Sequence, residues 1–392
     1  MNSKSRFIFR SVCKIALSLF VFAAGFVFPA SKSGAVENGV SGEEVVLGMS
    51  NALSGPASAL GQGIKKGAMA YFDKVNGAGG IHGRRIKVIS YDDQYEPKIA
   101  VANTEKLIDQ DRVFALFGYV GTPTSKAIMP LVNRNKIIFF GPFTGAEFLR
   151  NPVNRFIYNV RGSYFDESEA QVDYLTRARG IKKIGLFLQK DAYGLAVKGG
   201  MVKALNKRDM AITCEGLYER NTEDISAGFE EIRKENPEAV SMVGTYRAMG
   251  AFILKARTQR FNPVFLNVSF VGTAALIKEL GADGDGVIVT QVMPSPRDTS
   301  LQIIEQYRSD MNSAGHQEFD YTDLEGYVDA VVFTEILKKA GKDLTRETFV
   351  QAAESLNVTI GGMQFGYGPK DHQALKKVYM TQISGGKAVP LN

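Results

Sequence analysis

Two turns rich in hydroxyl groups and glycine follow short apolar runs in the first half of the chain. The turn GYVGTPTS contains Thr122, and the turn GPFTGAEF contains Phe143, Thr144 and Gly145. Each turn places hydroxyl and backbone NH groups at the start of a predicted helix, where an anion such as a carboxylate is stabilised. The alternative is that Thr122 or Thr144 only caps its helix. These residue types therefore predict either an anion site or two helix caps.

Two tyrosines follow apolar runs in the second half of the chain. Tyr193 lies in KDAYG, and Tyr246 lies in GTYRAMG. Open α/β sheets bind ligands at the carboxyl ends of their strands. One tyrosine alone is an ordinary packing residue, whereas several around one cleft would form an aromatic wall.

The stretch LSGPASALGQGIKKG, residues 53–67, is glycine-punctuated like a dinucleotide-binding turn. Its glycines, Gly61, Gly63 and Gly67, are spaced with one residue too many before the third. Gly61 also lies about 12 residues beyond the preceding apolar run, whereas a phosphate-binding turn must be tight. We therefore interpret residues 54–60 as a flexible lip of a cleft, with the three glycines letting the helix start close to a ligand.

Residue sets that carry catalysis or metal binding are missing from the sequence. There is no GxxxxGK[ST] loop, no GxSxG turn and no histidine at a recognised spacing from a nucleophile. His82, His316 and His372 are far apart, and Cys214 is the only cysteine beyond the N-terminal segment. We therefore predict a protein that is not an enzyme and that needs no metal and no cofactor.

Short apolar runs alternate with longer amphipathic stretches along almost the whole chain, which is typical of βα units in parallel sheets. The first amphipathic stretch has an apolar stripe at helical spacing and ends at the glycines of residues 77–80. This rhythm predicts an α/β fold with doubly wound parallel sheets. The candidate strands are residues 45–49, 86–91, 113–117, 137–140, 184–188, 239–243, 264–266 and 287–292.

Three irregular stretches interrupt this pattern, at residues 141–166, 294–298 and 361–371. Each is a candidate crossover between two lobes, and three crossovers would leave a cleft between lobes built from discontinuous segments. The predicted lobes are residues 43–162 plus 293–366 and residues 163–292 plus 367–392.

Residues 1–35 have the features of a cleaved secretory signal peptide: a basic start, an apolar run and small residues at its end. An uncleaved membrane anchor is the alternative, although the apolar run is short for a spanning helix. The segment holds five lysines and arginines and no acid, so its removal lowers the formal charge from +6 to +1. The nearly neutral remainder argues against nucleic acid as a partner, and we expect a periplasmic location.

Several stretches taken together carry a family resemblance. They are NGAGGIHGRRI followed by YDDQYEP, the GPFTGA turn, DAYG and EGYVDA. They resemble the type I periplasmic binding proteins of the branched-chain amino acid (Leu/Ile/Val) ABC transporter family, over essentially the whole chain after residue 35. The resemblance implies a two-lobed receptor that closes on a small ligand and docks on a membrane permease. ABC permease and ATPase subunits are then the implied partners, and we expect a monomer.

The resemblance also implies where a ligand carboxylate would bind. In that family a hydroxyl residue and backbone NH groups hold it, and these positions match Thr122, the backbone at Phe143, and Gly145. The family's second hydroxyl is lost at Gly145, although Thr144 is adjacent.

The rest of the ligand would meet residues from both lobes. The family's lip residue matches Leu60, and its second-lobe tyrosines match Tyr193 and Tyr246. The family's amino acid binders hold the ligand ammonium with an acid, and Ser269 occupies that position. A serine cannot pair with a buried ammonium, and an unpaired buried charge costs several kcal/mol.

Two explanations of this serine stay open. Another acid takes its role, or the ligand is not an ordinary α-amino acid. The candidate acids are Asp166, Glu167 and Asp191. An aromatic or flat carboxylate would suit the rings of Phe143, Tyr164, Tyr193 and Tyr246. Arg161 would then be a counter-ion, unless it is an ion-pair residue at the surface or hinge.

The leading hypothesis is a periplasmic, non-enzymatic receptor that delivers an amino acid or related small carboxylate to an ABC importer. The alternative ligand is an aromatic or other non-amino-acid carboxylate. A ligand sensor of the same fold and an exported nucleotide-dependent oxidoreductase are the alternative functions.

Overall fold

A computed structural model describes residues 37–391. The predicted signal peptide, residues 1–35, lies outside the described residues. The polar turns follow strands of two separate sheets. The first sheet consists of parallel strands β1 (Glu44–Asn51), β2 (Arg85–Asp92), β3 (Ala115–Phe117), β4 (Ile138–Phe140) and β5 (Ile157–Tyr158). Their order is β2-β1-β3-β4-β5. Helices α1 (Ser58–Gly77), α2 (Pro97–Asp109) and α3 (Thr122–Asn135) connect the first four strands.

The second sheet repeats this arrangement. Its parallel strands are β6 (Ile184–Gln189), β7 (Cys214–Tyr218), β8 (Ala239–Val243), β9 (Val264–Asn267) and β10 (Ile288–Gln291). The helices on this side are α4 (Tyr164–Asp173), α5 (Ala192–Asn206), α6 (Ser226–Glu235), α7 (Tyr246–Thr258) and α8 (Thr273–Leu280). Strands β6 and β8 are buried along their whole length, which explains why they read as continuous apolar runs.

The C-terminal part of the chain contributes to both sides of the molecule. Helices α9 (Gln302–Ser313), α10 (Tyr321–Ala340) and α11 (Arg346–Glu354) follow β10, and α10 packs along α1. A hairpin of β11 (Asn357–Ile360) and β12 (Met363–Gly366) comes next. Strands β13 (Tyr379–Ser384) and β14 (Lys387–Pro390) then extend the second sheet antiparallel, in the order β14-β13-β10-β9-β8-β6-β7. The chain thus passes between the two sides three times.

All eight candidate strands occur in the structure, and the α/β prediction with doubly wound sheets is confirmed. Strand β5 was not predicted because it has only two residues, and β7 was not predicted because its sequence CEGLY is partly polar. The antiparallel strands β11 to β14 were not predicted either, because they mix exposed, half-buried and buried positions. Among the described residues, no helix is long and apolar enough to cross a membrane.

The glycines of α1 have a different role from the one predicted. A Cβ on Gly61 would collide with the backbone of Ala52, and a Cβ on Gly67 would collide with the carbonyl of Asp323 in α10. A Cβ on Gly63 would lie 2.9 Å from Cγ2 of Thr322. These glycines therefore bring α1 close to the end of β1 and to α10, and this close packing accounts for them without a ligand.

Candidate functional site

Thr122 and Thr144 lie side by side at the carboxyl ends of β3 and β4. Their hydroxyl oxygens are 2.6 Å apart, and both side chains are fully buried. Gly121, not Thr122, holds the cap position of α3, and Ala146 holds it in the short turn Glu147–Leu149. The capping alternative is therefore wrong for Thr122, whereas the Thr144 hydroxyl accepts from the Ala146 NH at 3.3 Å without holding the cap position. The two hydroxyls face each other in the interior.

Tyr164 continues this hydroxyl pair toward the second sheet. The Thr144 hydroxyl donates to the Tyr164 hydroxyl at 3.4 Å, and the Tyr164 NH donates to the Gly145 carbonyl at 2.8 Å. Burial raises the pKa of Tyr164 to about 12, so its hydroxyl stays neutral. A Cβ on Gly145 would lie only 2.5 Å from the Tyr164 nitrogen, which explains why this position carries no hydroxyl side chain.

The backbone of Phe143 does not have the role that the resemblance implies. Its NH donates to the Tyr119 carbonyl at 2.8 Å, and its carbonyl accepts from the Gly121 NH at 3.2 Å. Both groups are thus used between neighbouring loops, and the expectation of a carboxylate contact at this NH is wrong. Phe143 instead contributes its ring, which lies 5.2 Å from that of Phe270.

Five rings from both sheets pack together, and we call them the aromatic cluster: Tyr95, Phe143, Tyr164, Tyr193 and Phe270. The Phe270 ring centre lies 6.0 Å from that of Tyr95 and 4.7 Å from that of Tyr193. Tyr193 lies 5.4 Å from Tyr164. The Tyr193 hydroxyl is buried and has no hydrogen-bond partner among the described residues. The cluster gives the cleft an aromatic wall with polar tips.

Tyr95 and Phe270 were missed by the sequence analysis. Tyr95 comes three residues after β2, and Phe270 comes three residues after β9. The signal that selected Tyr193, an aromatic residue just beyond a strand, was therefore present at both positions.

The predicted lip, residues 54–60, lies against the loop that follows β9. A Cβ on Gly272 would lie 2.6 Å from Cδ2 of Leu60 and 3.6 Å from Cδ1 of Tyr246. The Tyr246 hydroxyl accepts from the Ala59 NH at 3.4 Å. The lip thus meets Tyr246 through Ala59, and Leu60 and Tyr246 both lie beside Gly272.

Asp92, at the end of β2, fixes the beginning of this lip. Its carboxylate accepts from the NH groups of Leu53 and Ser54 at 2.9 and 3.2 Å and from the Ser54 hydroxyl at 2.5 Å. Partial burial alone would raise the pKa of Asp92, but these bonds outweigh it and the pKa is lowered. The lip is therefore anchored at its start.

Ser269 belongs to a buried polar group that spans both sides of the molecule. Its NH and its hydroxyl donate to the Glu167 carboxylate at 2.7 and 3.0 Å, and the Thr290 hydroxyl donates to the same carboxylate at 2.5 Å. Nη2 of Arg161 donates to the Ser269 hydroxyl. Ser269 thus connects a buried cation to a buried acid.

Arg161 is fully buried, so the alternative of a surface residue is wrong. Its guanidinium lies over the Phe143 ring at 4.6 Å and forms ion pairs with Glu167 at 3.7 Å and Glu325 at 3.6 Å. Burial alone lowers the pKa of Arg161, but Glu325 and Glu167 raise it above its usual value, so the guanidinium stays charged. Burial raises the pKa of Glu325 to about 7.

Two of the candidate acids start helices. Asp166 completes a capping box with Ser163 at α4, and Asp191 caps α5 by accepting from the Tyr193 NH at 2.8 Å. Of the three candidate acids, Glu167 is the one in contact with Ser269.

Direct contacts also join loops that follow strands of the two sheets. Arg220, after β7, pairs with Glu96 at 2.7 Å, and the Asn221 amide donates to Glu96 at 2.7 Å. The Gln189 amide donates to the Tyr95 hydroxyl at 3.3 Å. The structure therefore has the two sides closed on each other.

A family model described as a periplasmic binding protein matches residues 44–388. The chain belongs to this family. A solved structure from Rhodopirellula baltica, titled a possible leucine/isoleucine/valine-binding protein, is 36% identical with a TM-score of 0.86, and the match covers 90% of this chain and 97% of that one. The predicted resemblance to type I periplasmic binding proteins is thus confirmed.

Curated relatives agree with this placement. An amino acid binding protein of Pseudomonas aeruginosa is 26% identical over 63% of this chain and 67% of its own length. A leucine-specific-binding protein of Salmonella typhimurium is 23% identical over 70% of this chain and 75% of its own length. Members of the family are solute-binding proteins rather than enzymes, and membership gives this periplasmic binding protein a solute-binding role.

Proposed function

We propose that this protein is a periplasmic receptor that binds an amino acid or related small carboxylate between two lobes and delivers it to the permease and ATPase of an ABC importer. The observation that carries the proposal is the buried hydroxyl series Thr122, Thr144 and Tyr164 beside the aromatic cluster. Neutral donors next to apolar walls suit a small ligand with one anionic end. The relatives that bind leucine or other amino acids support the same solute class.

The proposed lobes are residues 43–162 plus 293–366 and residues 163–292 plus 367–392. The packing of α10 on α1 supports the first lobe, and the addition of β13 and β14 to the second sheet supports the second. The proposed ligand residues are Leu60, Thr122, Phe143, Thr144, Gly145, Tyr164, Tyr193, Tyr246 and Ser269. Gly145 and Ser269 act by shaping the site and holding Arg161, and Phe143 acts through its ring.

The test is direct identification of the ligand. The protein is purified from its exporting host without added solutes, the small molecule is released by denaturation and identified by mass spectrometry, and the refolded protein is titrated by calorimetry. We expect a small carboxylate to bind with a one-to-one stoichiometry. Binding of no amino acid and no carboxylate of a broad panel would contradict the proposal.

The periplasmic location has its own test. Signal peptidase favours small residues such as Ser33 and Ala35 before its cleavage site. We therefore expect the exported protein to begin at Val36, as measured by intact mass. A full-length chain retained in the membrane fraction would instead indicate an uncleaved anchor.

A further inference from the structure

Arg161 has unused hydrogen-bonding capacity in the interior of the protein. Its side chain is fully buried, and Nη2 donates to the Ser269 hydroxyl. Nε and Nη1 have no hydrogen-bond partner among residues 37–391. Buried donors in native proteins are nearly always paired, so these two groups indicate a missing acceptor.

The two neighbouring carboxylates do not supply that acceptor. Glu167 already accepts three hydrogen bonds, and its closest oxygen is 3.7 Å from Nη2 of Arg161. Glu325 lies 3.6 Å from Nε, which is beyond hydrogen-bond distance. Burial also favours the protonated form of Glu325, because it raises the pKa of that carboxyl to about 7. Both carboxylates therefore lie within ion-pair distance of the guanidinium, but neither accepts a hydrogen bond from it.

Arg161 lies beside the cleft, so its unpaired Nε and Nη1 donors lie there as well. The guanidinium lies over Phe143, whose ring contacts Phe270, and Phe270 contacts Tyr193. A cavity of about 10 Å³ is bordered by Phe143, Ser269 and Glu325, which all contact Arg161. Such a space is close to the size of one water molecule or one carboxylate oxygen.

The same surroundings disfavour a ligand ammonium. Ser269 is neutral, and the Glu167 oxygens are occupied by Ser269 and Thr290. An ammonium placed here would also lie close to the Arg161 cation in a buried site, where repulsion between like charges is strong. The unpaired Nε and Nη1 of Arg161 thus require an oxygen acceptor at this point of the site.

We propose that the cleft takes a carboxylate with no ammonium group and a flat or aromatic body, and that Arg161 binds its oxygen atoms. This inference rests on the proposed function, since it names the substrate class of the same site. It adds Arg161 to the ligand-binding residues and assigns to Glu167 and Ser269 the role of positioning it.

The experiment compares ligands that differ only at the ammonium. Ligand-free protein is titrated with phenylpyruvate against phenylalanine, and with 4-methyl-2-oxopentanoate against leucine. We expect at least one oxo acid to bind at least tenfold more tightly than its amino acid partner. Tighter binding of both amino acids would overturn the inference and leave the proposed function standing. If none of the four compounds binds, the inference fails, and the broad panel of the identification experiment decides the proposed function.

Variants then test the residue itself. Arg161→Met should weaken binding of the preferred oxo acid at least tenfold, whereas Asp329→Asn, which removes another buried carboxyl from α10, should change it less than threefold. Because Arg161→Met leaves Glu325 without its cation, the double variant Arg161→Met/Glu325→Gln serves if the single one does not fold. Unchanged affinity in a folded Arg161 variant would mean that water, not the ligand, accepts from Nε and Nη1 of Arg161. It would refute the contact between Arg161 and the ligand.

Discussion

The neighbours of the Thr122 hydroxyl distinguish a helix cap from a ligand-binding group at this position. As a helix cap it would accept from a backbone NH of α3, but it instead lies 2.6 Å from the Thr144 hydroxyl. A hydroxyl that is not needed by the helix is available to a ligand. Its loss should therefore affect binding more than stability.

We expect Thr122→Val to weaken ligand binding by about 1–3 kcal/mol, because a buried acceptor would lose its donor. The matched control is Thr124→Val, two residues along α3. The Thr124 hydroxyl donates to the Val120 carbonyl at 2.6 Å, so this variant should lower stability with little change in affinity. Calorimetry and thermal unfolding of both variants measure the two effects. Equal losses of affinity would argue against a ligand contact at Thr122.

Glu325 predicts a dependence of stability on pH. Burial raises its pKa from the usual 4.5 to about 7, so between these values the folded protein binds a proton that the unfolded chain releases. The free energy of unfolding must then fall as pH rises through this window. Glu325→Gln removes this contribution, so its stability relative to wild type should increase from pH 4.5 to pH 7. Urea unfolding of both proteins across this pH range measures the difference in their free energies of unfolding. If that difference does not change with pH, Glu325 does not titrate as described.

At the scale of elements, the close contact between α1 and α10 requires a glycine at position 67. Gly67→Ala would drive its methyl group into the Asp323 carbonyl. Overpacking of this kind costs about 1–3 kcal/mol or more, so we expect a clear loss of stability.

Gly77→Ala is the control within the same helix, because no atom lies within 4 Å of the added Cβ. It should be neutral or stabilising by about 0.5–1 kcal/mol, since alanine favours the helix. Chemical unfolding of both variants measures the difference. A Gly67→Ala protein as stable as Gly77→Ala would mean that the two helices can separate without cost.

The whole molecule is held closed by contacts between its two sides, and one of them can be tested by itself. The Arg220–Glu96 pair joins loops from different sheets at 2.7 Å. If closure accompanies binding, this pair stabilises only the closed form. Arg220→Ala should therefore weaken ligand binding, by up to about 1 kcal/mol for a partly exposed pair.

Lys190→Ala provides the comparison, because Lys190 pairs with Glu219 at 3.0 Å on one side of the cleft only. It should leave the affinity unchanged. The effect of Arg220→Ala should also shrink in high salt, which screens a partly exposed pair. Equal effects of both variants on calorimetric affinity would show that the Arg220–Glu96 pair does not report closure.

Much of the fold was determined by the sequence alone. Buried parallel strands are continuous apolar runs, and α1 has its apolar stripe at helical spacing, so both are visible within a short window of sequence. The turns with Thr122 and Thr144 and the tyrosines after β6 and β8 were found because parallel sheets gather these ends at one edge. The two-residue strand β5 and the half-polar strands after α11 have no such local pattern.

Only the tertiary structure decided what those turns contact. The Arg161 side chain meets Ser269, which is 108 residues away in the sequence, and Gly67 meets Asp323 on a helix from the far end of the chain. The Phe143 NH looked available as a donor until the fold placed it against Tyr119. Local pattern fixes which residues are buried, but it does not fix their partners, because side-chain pairing depends on how distant elements pack.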